Sequence, residues 1–344
     1  MLQDLSYRIE SEIARLVCRL PESVLKAIAG PPVRIDDRPL DLQVQVILRI
    51  AAMTRKREVP PPSLEGARRD LAYSGRQLAP RPSEALAEVA DFELGGRPAR
   101  RYLPLTKPQG GPGIVFFHGG GFVLGGLESH DGVCRTMAAH TGCPVFAVDY
   151  RLAPEHPFPA AIDDALTAFR DAVARADHLG VDPERLGVAG DSAGGNLATL
   201  VGLETEGEPV RPAAVLAIYP AIDFTMSFPS QETLAEGYYL EAKNIRWYRE
   251  TYLAGEDMKH PRASPWFRES VAGAPPHVVV TAGYDPLRDE GDAWAKRLEE
   301  AGVQVIHQSP PGLFHGFWNA GGGIEAARVA IEEGLDAFRG LLRS

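Results

Sequence analysis

The chain has few of the features that mark secreted, metal-binding or membrane proteins. Its three cysteines, Cys18, Cys134 and Cys143, are too few and too scattered for a disulfide framework or a metal-ligand spacing. No run of about 18 apolar residues could span a bilayer. Charged side chains interrupt the first 20 positions, where a secretory signal needs an apolar core. We therefore expect a cytoplasmic protein with no metal and no stable membrane association.

Positive charge is also scarce. The 36 Lys and Arg residues face 46 Asp and Glu residues, which leaves a formal net charge of -10. This balance argues against nucleic-acid partners and against adsorption to anionic lipid. No internal repeat is visible. With 344 residues and 44% hydrophobic side chains, the chain can bury one large α/β core with an accessory cap, or form two domains. The sequence leaves a homodimer open.

Glycine, in contrast, is abundant, and one glycine-flanked serine follows a strand-like run. Residues 190–194 read Gly-Asp-Ser-Ala-Gly, after the apolar run 186–189 and before the helix-forming run 196–200. A strand, a sharp turn and a helix in this order form a nucleophile elbow that presents the hydroxyl of Ser192. The flanking glycines are expected where side chains would collide with the neighbouring strand and helix. Taken alone, the motif also fits an ordinary glycine-rich turn.

A second glycine cluster strengthens the first interpretation. Residues 118–121 read His-Gly-Gly-Gly and follow the buried-strand pattern at 113–117. Glycines after a strand leave backbone N–H groups bare, and acyl transfer needs such donors because the tetrahedral intermediate carries an oxyanion. The two clusters together predict a serine hydrolase.

A carboxylate and a histidine stand where the chain order Ser, Asp, His predicts them. Asp285 lies just past a strand-like run that starts at His277, and His315 lies in the loop after the run 303–307. Both would share the sheet edge with Ser192, the edge at which ligands bind in open α/β sheets. Asp289 and Asp292 are rival carboxylates. The remaining histidines, including His118 and His130, are expected at the surface or in packing.

Helical periodicity dominates the N-terminal part of the chain and stops at the proline run 60–62. The apolar positions that recur every three or four residues are Leu5, Ile9, Ile13, Leu16, Leu40, Val44 and Leu48. We interpret residues 1–82 as a helical cap segment and residues 83–344 as the catalytic α/β domain.

Beyond the cap, strand and helix signals alternate, which predicts a mostly parallel sheet with helices on both faces. A hairpin is expected around Gly95-Gly96. The other predicted strands are 113–117, 144–149, 185–189, 214–219, 277–282 and 303–308. The aromatic-rich interval 223–275 interrupts the alternation. We interpret it as a cap insertion that overhangs the site, the alternative being a helix packed on the flank of the sheet.

Five motifs together resemble the hormone-sensitive-lipase-like esterases of the α/β-hydrolase fold. They are His-Gly-Gly-Gly-Phe at 118–122, Asp-Tyr-Arg-Leu-Ala-Pro-Glu at 149–155, Gly-Asp-Ser-Ala-Gly-Gly at 190–195, Asp-Pro-Leu-Arg-Asp-Glu at 285–290 and His-Gly-Phe at 315–317. The resemblance spans most of the catalytic part, whereas the segment before Ser83 matches only through the family's habit of carrying a helical cap. No motif position departs from the family pattern.

The resemblance implies roles for individual residues. It assigns Ser192 as nucleophile, His315 as base and Asp285 as the carboxylate that orients it. It also implies an oxyanion hole from the N–H groups of three residues, which are Gly120, Gly121 and Ala193. The mechanism needs no cofactor. From the residues alone, an apolar pocket is expected at the site, with candidate lining from Phe122, Tyr219 and Trp318.

Three functional classes are compatible with the sequence. The first is a carboxylesterase that acts on small-molecule esters with short to medium acyl chains. The second is an amide- or carbamate-cleaving hydrolase, because the attacked carbonyl is alike. The third is a ligand-binding module without catalysis, against which the presence of His315 argues.

Overall fold

An eight-stranded sheet forms the centre of the computed structural model, which describes residues 11–54, 58–82, 84–106 and 109–343. A separate two-stranded hairpin precedes it, so the strands are numbered β1 to β10. They are β1 Arg34–Ile35, β2 Arg38–Pro39, β3 Leu86–Leu94, β4 Arg97–Pro104, β5 Gly111–Phe117, β6 Val145–Val148, β7 Val181–Asp191, β8 Val215–Ile218, β9 His277–Val280 and β10 Val305–Gln308. The order across the large sheet is β10-β9-β8-β7-β5-β6-β4-β3.

Six strands of the large sheet, β5 to β10, run parallel to one another. At one edge, β4 pairs antiparallel with β6, and β3 pairs antiparallel with β4. Their register aligns the ends that carry functional loops. Phe117 pairs with Gly190, Asp191 pairs with Ile218, and Ile218 pairs with Val280. The carboxyl ends of β5, β7, β8 and β9 therefore lie side by side. The loops that follow these strands all emerge at one edge.

Helices cover both faces of the sheet. The first helix is described over 11–18 and is called α1. The others are α2 Glu22–Ala29, α3 Leu42–Thr54, α4 Leu64–Gln77, α5 Leu127–Thr141, α6 Ala160–Ala174, α7 Ala176–Leu179, α8 Ala193–Glu204, α9 Ser230–Thr233, α10 Ala242–Leu253, α11 Arg288–Glu300 and α12 Glu325–Arg343, with short 3-10 turns at Pro265–Phe267 and Phe317–Asn319. Side chains of α5 and α12 share one apolar layer with the sheet, and those of α6 and α8 share the other.

This arrangement confirms the predicted mostly parallel sheet with helices on both faces. Each predicted strand is present, with ends that differ by a few residues from the sequence prediction. The central strands β5, β6, β8 and β9 were predictable because every residue in each of them is buried, so they read as short, mostly apolar runs.

The N-terminal segment departs from the all-helical prediction. The β1–β2 hairpin interrupts it, turning at Asp36 and Asp37, whose φ angles are 50° and 57°. Two left-handed residues in a two-residue loop match a type I′ turn, and aspartate tolerates that conformation better than most side chains. The segment is predicted to be helical, and residues 34–39 form two short strands and a turn instead.

Leu40 is also placed differently from its prediction. It follows β2 instead of lying in a helix, because α3 begins only at Leu42. The Asp41 carboxylate accepts the N–H groups of Gln43 and Val44 and so caps the helix start. The predicted helical positions Leu5 and Ile9 lie outside the described residues.

The interval 223–275 contains α9 and α10 and is anchored to α11 by one buried carboxylate. Glu290 Oε1 accepts the N–H groups of Ile222 (2.7 Å) and Asp223 (3.3 Å), and Oε2 accepts Nε2 of Gln231 (2.9 Å). Burial raises the pKa of Glu290 to about 8, although these hydrogen bonds lower it in part. The carboxyl group is therefore largely protonated in the folded protein at neutral pH.

Replacing Glu290 with glutamine should change how stability depends on pH. The folded state keeps a proton on Glu290 between about pH 4.5 and pH 8, whereas the unfolded state releases it. Wild-type stability should therefore fall as the pH rises through that window, and the neutral side chain of Glu290→Gln should remove this loss. Urea midpoints of the two proteins should diverge in favour of the variant from pH 5 to pH 8. Glu299→Gln, on the exposed side of α11, is the control, and parallel profiles for Glu290→Gln and wild type would contradict the expectation.

Candidate active site

Ser192 lies at a sharp turn between β7 and α8. Its backbone has φ 55° and ψ -116°, and its N–H donates to the carbonyl of Ile218 at 2.8 Å. The turn requires glycine on both sides. A β-carbon at Gly194 would overlap the carbonyl oxygen of Phe117, and one at Gly190 would overlap the carbonyl of Gly194. This strained conformation persists because the surrounding backbone leaves no alternative.

The structure brings Ser192, His315 and Asp285 together. Ser192 Oγ lies 3.0 Å from His315 Nε2, and His315 Nδ1 lies 2.7 Å from Asp285 Oδ2. Asp285 is fully buried, and its other oxygen accepts the N–H of Leu287 at 2.8 Å. The three side chains form one continuous hydrogen-bonded chain from hydroxyl to carboxylate, the geometry of a base-activated nucleophile.

The rival carboxylates are engaged elsewhere. Asp289 accepts the N–H of Ser230 at 2.9 Å and bonds to the guanidinium of Arg288 at 2.7 Å. Asp292 accepts the hydroxyl of Thr281 at 2.7 Å and lies 3.1 Å from His307. In the structure, Asp285 alone of the three carboxylates hydrogen-bonds His315.

Three backbone N–H groups lie next to these hydrogen-bonded side chains and have no acceptor among the described residues. Gly120 and Gly121 follow β5 with φ angles of 127° and 63°, and Ala193 is the first residue of α8. Within the described part of the chain, none of their N–H groups donates a hydrogen bond. A β-carbon at Gly121 would overlap the ring of Tyr248, so a side chain there would be excluded. These donors can therefore meet a ligand oxygen at close range.

Asp191, next to Ser192 in the chain, faces the protein interior and braces the glycine loop. Its Oδ1 accepts the N–H of Gly119 at 2.8 Å and lies 3.1 Å from His130 Nε2. Burial alone would raise the pKa of Asp191. The electrostatic contact with His130, together with hydrogen bonds from His130 and the Gly119 amide, outweighs the effect of burial and holds the pKa of Asp191 below its usual value. His130 is thus a packed residue, but one with an electrostatic partner that the sequence did not indicate.

His118 has a structural role, as the sequence suggested. Its ring stacks on Tyr150 with centroids 4.3 Å apart, and the Tyr150 hydroxyl donates to the His118 carbonyl at 2.7 Å. Burial lowers the pKa of His118 to about 4, so its ring is neutral at pH 7. It therefore adds packing and no charge.

Comparison with known proteins decides the family. A family model described as the α/β-hydrolase fold matches residues 114–319, more than half of the chain. The chain is 38% identical over 310 residues to an ethyl acetate hydrolase of Pseudomonas putida, a match covering 86% of this chain and 95% of that protein. It is 40% identical over 269 residues to the carboxylic ester hydrolase LipN of Mycobacterium tuberculosis, with 73% and 70% covered. The chain belongs to the hormone-sensitive-lipase-like esterases of the α/β-hydrolase fold.

Solved structures give the same result and confirm the predicted fold class. An ester hydrolase from the metagenome of Lake Arreo has a TM-score of 0.83 at 36% identity, covering 89% of this chain and 100% of that chain. A hyperthermophilic esterase from the archaeon Pyrobaculum calidifontis has a TM-score of 0.81 at 35% identity, covering 89% and 99%.

The aromatic residues expected to line a pocket in this esterase are buried. Phe122, Tyr219 and Trp318 are each at most 2% exposed. Phe122 stacks on Tyr252 with centroids 3.9 Å apart, Tyr219 packs 4.6 Å from the His315 ring, and Trp318 lies in the core. The elements packed around these rings cover them, and their assignment to a substrate pocket stays a prediction.

Two tyrosines from the interval 223–275 lie beside the glycine loop and beside the loop that carries His315. Tyr248 of α10 covers Gly121, and Tyr239 packs beside Phe314 and next to Gly316. Tyr239 is 36% exposed and Tyr248 is half-buried. The sequence flagged this interval as aromatic, but which rings reach the site depends on how α10 packs.

The described residues of this esterase contain no group of three or more His, Cys, Asp or Glu side chains placed to hold a metal ion. Among the described helices, none is long and apolar enough to cross a bilayer.

A β-carbon at Gly194 should destabilise the esterase. It would meet a backbone carbonyl that cannot move aside. Gly194→Ala should therefore lower the free energy of unfolding by about 1–3 kcal/mol. Gly195→Ala is the matched control. Its β-carbon would lie 3.1 Å from its nearest neighbours, whereas the β-carbon at Gly194 would overlap a carbonyl oxygen. Thermal unfolding should show a clearly lower midpoint for Gly194→Ala than for Gly195→Ala. Equal midpoints would mean that the turn relaxes more easily than its geometry indicates.

Proposed function

We propose that this protein is a serine carboxylesterase that hydrolyses small-molecule esters with short to medium acyl chains. The observation that carries the proposal is the hydrogen-bonded chain from Ser192 through His315 to Asp285, beside the unpartnered N–H groups of Gly120, Gly121 and Ala193. Relatives named as esterases and carboxylic ester hydrolases support the same chemistry.

In the first half of the reaction, His315 Nε2 takes the proton of the Ser192 hydroxyl while Oγ attacks the ester carbonyl. The carbonyl oxygen becomes an oxyanion, which the three N–H groups stabilise. Asp285, fully buried against Nδ1, holds the imidazole in the required tautomer and stabilises the imidazolium. The imidazolium then gives its proton to the alcohol as the C–O bond breaks, leaving an acyl-enzyme.

Water completes the cycle. His315 takes a proton from a water molecule, whose oxygen attacks the acyl carbonyl at the same donor site. The second tetrahedral intermediate collapses when the imidazolium returns the proton to Ser192 Oγ. The carboxylic acid leaves, and no metal or organic cofactor takes part.

The limit on acyl length rests on two covers over the sheet edge. We propose that residues 1–82 and the insertion 223–275 act as caps on the catalytic domain 83–344. On the insertion side, Tyr248 covers Gly121, and Phe122, Tyr252 and Phe224 form a packed aromatic layer behind it. A closed aromatic wall next to the donors leaves less room for a long acyl chain than an open groove would.

The remaining expectations stay predictions. They are a cytoplasmic location, which rests on the scattered cysteines and the charged side chains in the first 20 positions, and the absence of nucleic-acid partners and of stable membrane association, which rests mainly on the formal charge of -10. A homodimer also stays open.

Loss of the nucleophile should abolish the reaction. Ser192→Ala removes only the hydroxyl, so we expect a folded protein with no ester hydrolysis and no covalent labelling by an organophosphate. His315→Ala should be about as damaging, whereas Asp285→Asn should retain more activity, because the carboxylate contributes least when triad residues act as a unit. Mass spectrometry of labelled peptides checks the site. Labelling that persists on another serine would overturn the assignment of Ser192.

Asp289→Asn and Asp292→Asn are the matched controls for the carboxylate. Neither side chain hydrogen-bonds His315, so both variants should keep more activity than Asp285→Asn. A greater loss in either would move the carboxylate role away from Asp285.

A graded series of p-nitrophenyl esters, from acetyl to palmitoyl, should show the highest kcat/KM for short to medium chains. The matching anilides should react far more slowly, because an amine leaves less readily than the phenolate. Comparable rates on anilides would favour the amide-cleaving alternative. A steep rise in rate when a long-chain triglyceride forms an emulsion would contradict the proposed acyl range.

A further inference from the structure

The β1–β2 hairpin of the N-terminal segment holds the residue directly before Asp285. The Tyr284 hydroxyl donates to the carbonyl of Arg38 at 2.6 Å and accepts the N–H of Ile35 at 3.1 Å. The Tyr284 side chain is completely buried. One hydroxyl thus connects both strands of the hairpin to the segment that carries the carboxylate.

The same hairpin also holds the other side of this segment. Arg288, which is 6% exposed, donates from Nη2 to Asp36 Oδ2 at 2.9 Å and from Nη1 to the carbonyl of Gly283 at 3.2 Å. Its Nε donates to Asp289 at 2.7 Å. The guanidinium therefore connects the tip of the hairpin to both ends of the 283–289 segment.

The contacts continue from the carboxylate segment to the loop of His315. The Tyr284 N–H donates to the carbonyl of Leu313 at 2.8 Å, and Tyr284 forms a parallel β-bridge with Phe314. Just after the hairpin, the N–H of Asp41 donates to the carbonyl of Gly312 at 3.1 Å. The hairpin region thus fixes both loops whose side chains meet in the Asp285–His315 hydrogen bond.

We propose that the β1–β2 hairpin is a positioning element of the catalytic triad, acting through Tyr284 and Arg288 on the Asp285–His315 pair. This inference rests on the proposed function of that pair. Within the described residues, the hairpin makes no hydrogen bond or ion pair to Ser192, Gly120 or Gly121. Its loss should therefore lower kcat and leave KM largely unchanged, because catalysis depends on placement of the base to within a fraction of an ångström.

The turn of the hairpin provides a matched pair of variants. Asp36 and Asp37 are adjacent and both left-handed, but only Asp36 contacts Arg288, while the Asp37 carboxylate points to solvent beside Arg34. Glycine suits both positions of a type I′ turn, so Asp36→Gly and Asp37→Gly should both keep the hairpin. Tyr284→Phe is a second variant, which keeps the buried ring and removes only the hydroxyl.

We expect Asp36→Gly and Tyr284→Phe each to lower kcat on p-nitrophenyl butyrate about three- to tenfold with KM unchanged, as for a misplaced triad. Asp37→Gly should match wild type in both constants. Kinetics of Asp36→Gly and Tyr284→Phe that equal those of Asp37→Gly would overturn the proposal, and so would a change confined to KM.

A proton NMR measurement separates this inference from the proposed function. The proton shared between His315 Nδ1 and Asp285 should give a far-downfield resonance that Asp285→Asn removes. Asp36→Gly and Tyr284→Phe should shift or broaden this resonance, and Asp37→Gly should not. If wild type hydrolyses no ester, the proposed function fails while the resonance still decides the positioning role. An unchanged resonance in both Asp36→Gly and Tyr284→Phe would overturn that role whatever the activity.

Discussion

Ser192 adopts its left-handed backbone because β5, β7 and α8 meet beside it with no space for side chains at Gly190 and Gly194. The close approach brings the end of β5 within contact of the first turn of α8, and the glycine loop starts at that same strand end. Ser192 and the backbone N–H groups of the glycine loop are therefore positioned by one packing constraint. The N-terminus of α8 adds a partial positive charge at the point where the oxyanion would form. A looser turn would separate these functions, so the rest of the site depends on this contact.

The neighbouring carboxylate couples the turn to the glycine loop. Asp191 is next to Ser192 in the chain and accepts the N–H of Gly119, so one side chain connects the end of β7 to the glycine loop. A buried carboxylate is costly to desolvate, and here His130 compensates it at 3.1 Å. Such a pair is weak evidence for stability, because desolvation offsets much of its attraction. Its effect is better understood as fixing one loop arrangement, with the neutral ring of His118 filling the space beside it.

The parts of the structure that sequence could predict are those governed by local rules. The positions of Ser192, Asp285 and His315 follow from strand ends, because parallel strands direct their following loops to one edge. The β1–β2 hairpin was not predictable from periodicity, since strands of two residues are too short to show alternation. Nor was the partner of Asp191, because no local pattern connects His130 with a residue 61 positions later. The aromatic rings Phe122 and Trp318 were identified correctly as apolar, but tertiary packing turned them into the core.

The N-terminal segment and the interval 223–275 both attach to the segment that carries Asp285. The N-terminal hairpin forms hydrogen bonds with Tyr284 and Arg288. At the start of the interval 223–275, backbone N–H groups and the Gln231 side chain donate hydrogen bonds to Glu290. Asp285 lies between these two attachments and has no exposed surface of its own. A cover that only shielded the substrate would act on binding alone. Because both attachments lie on the segment that places Asp285 against His315, displacement of either should change the alignment of this pair, so the placement of the carboxylate depends on two elements outside the sheet.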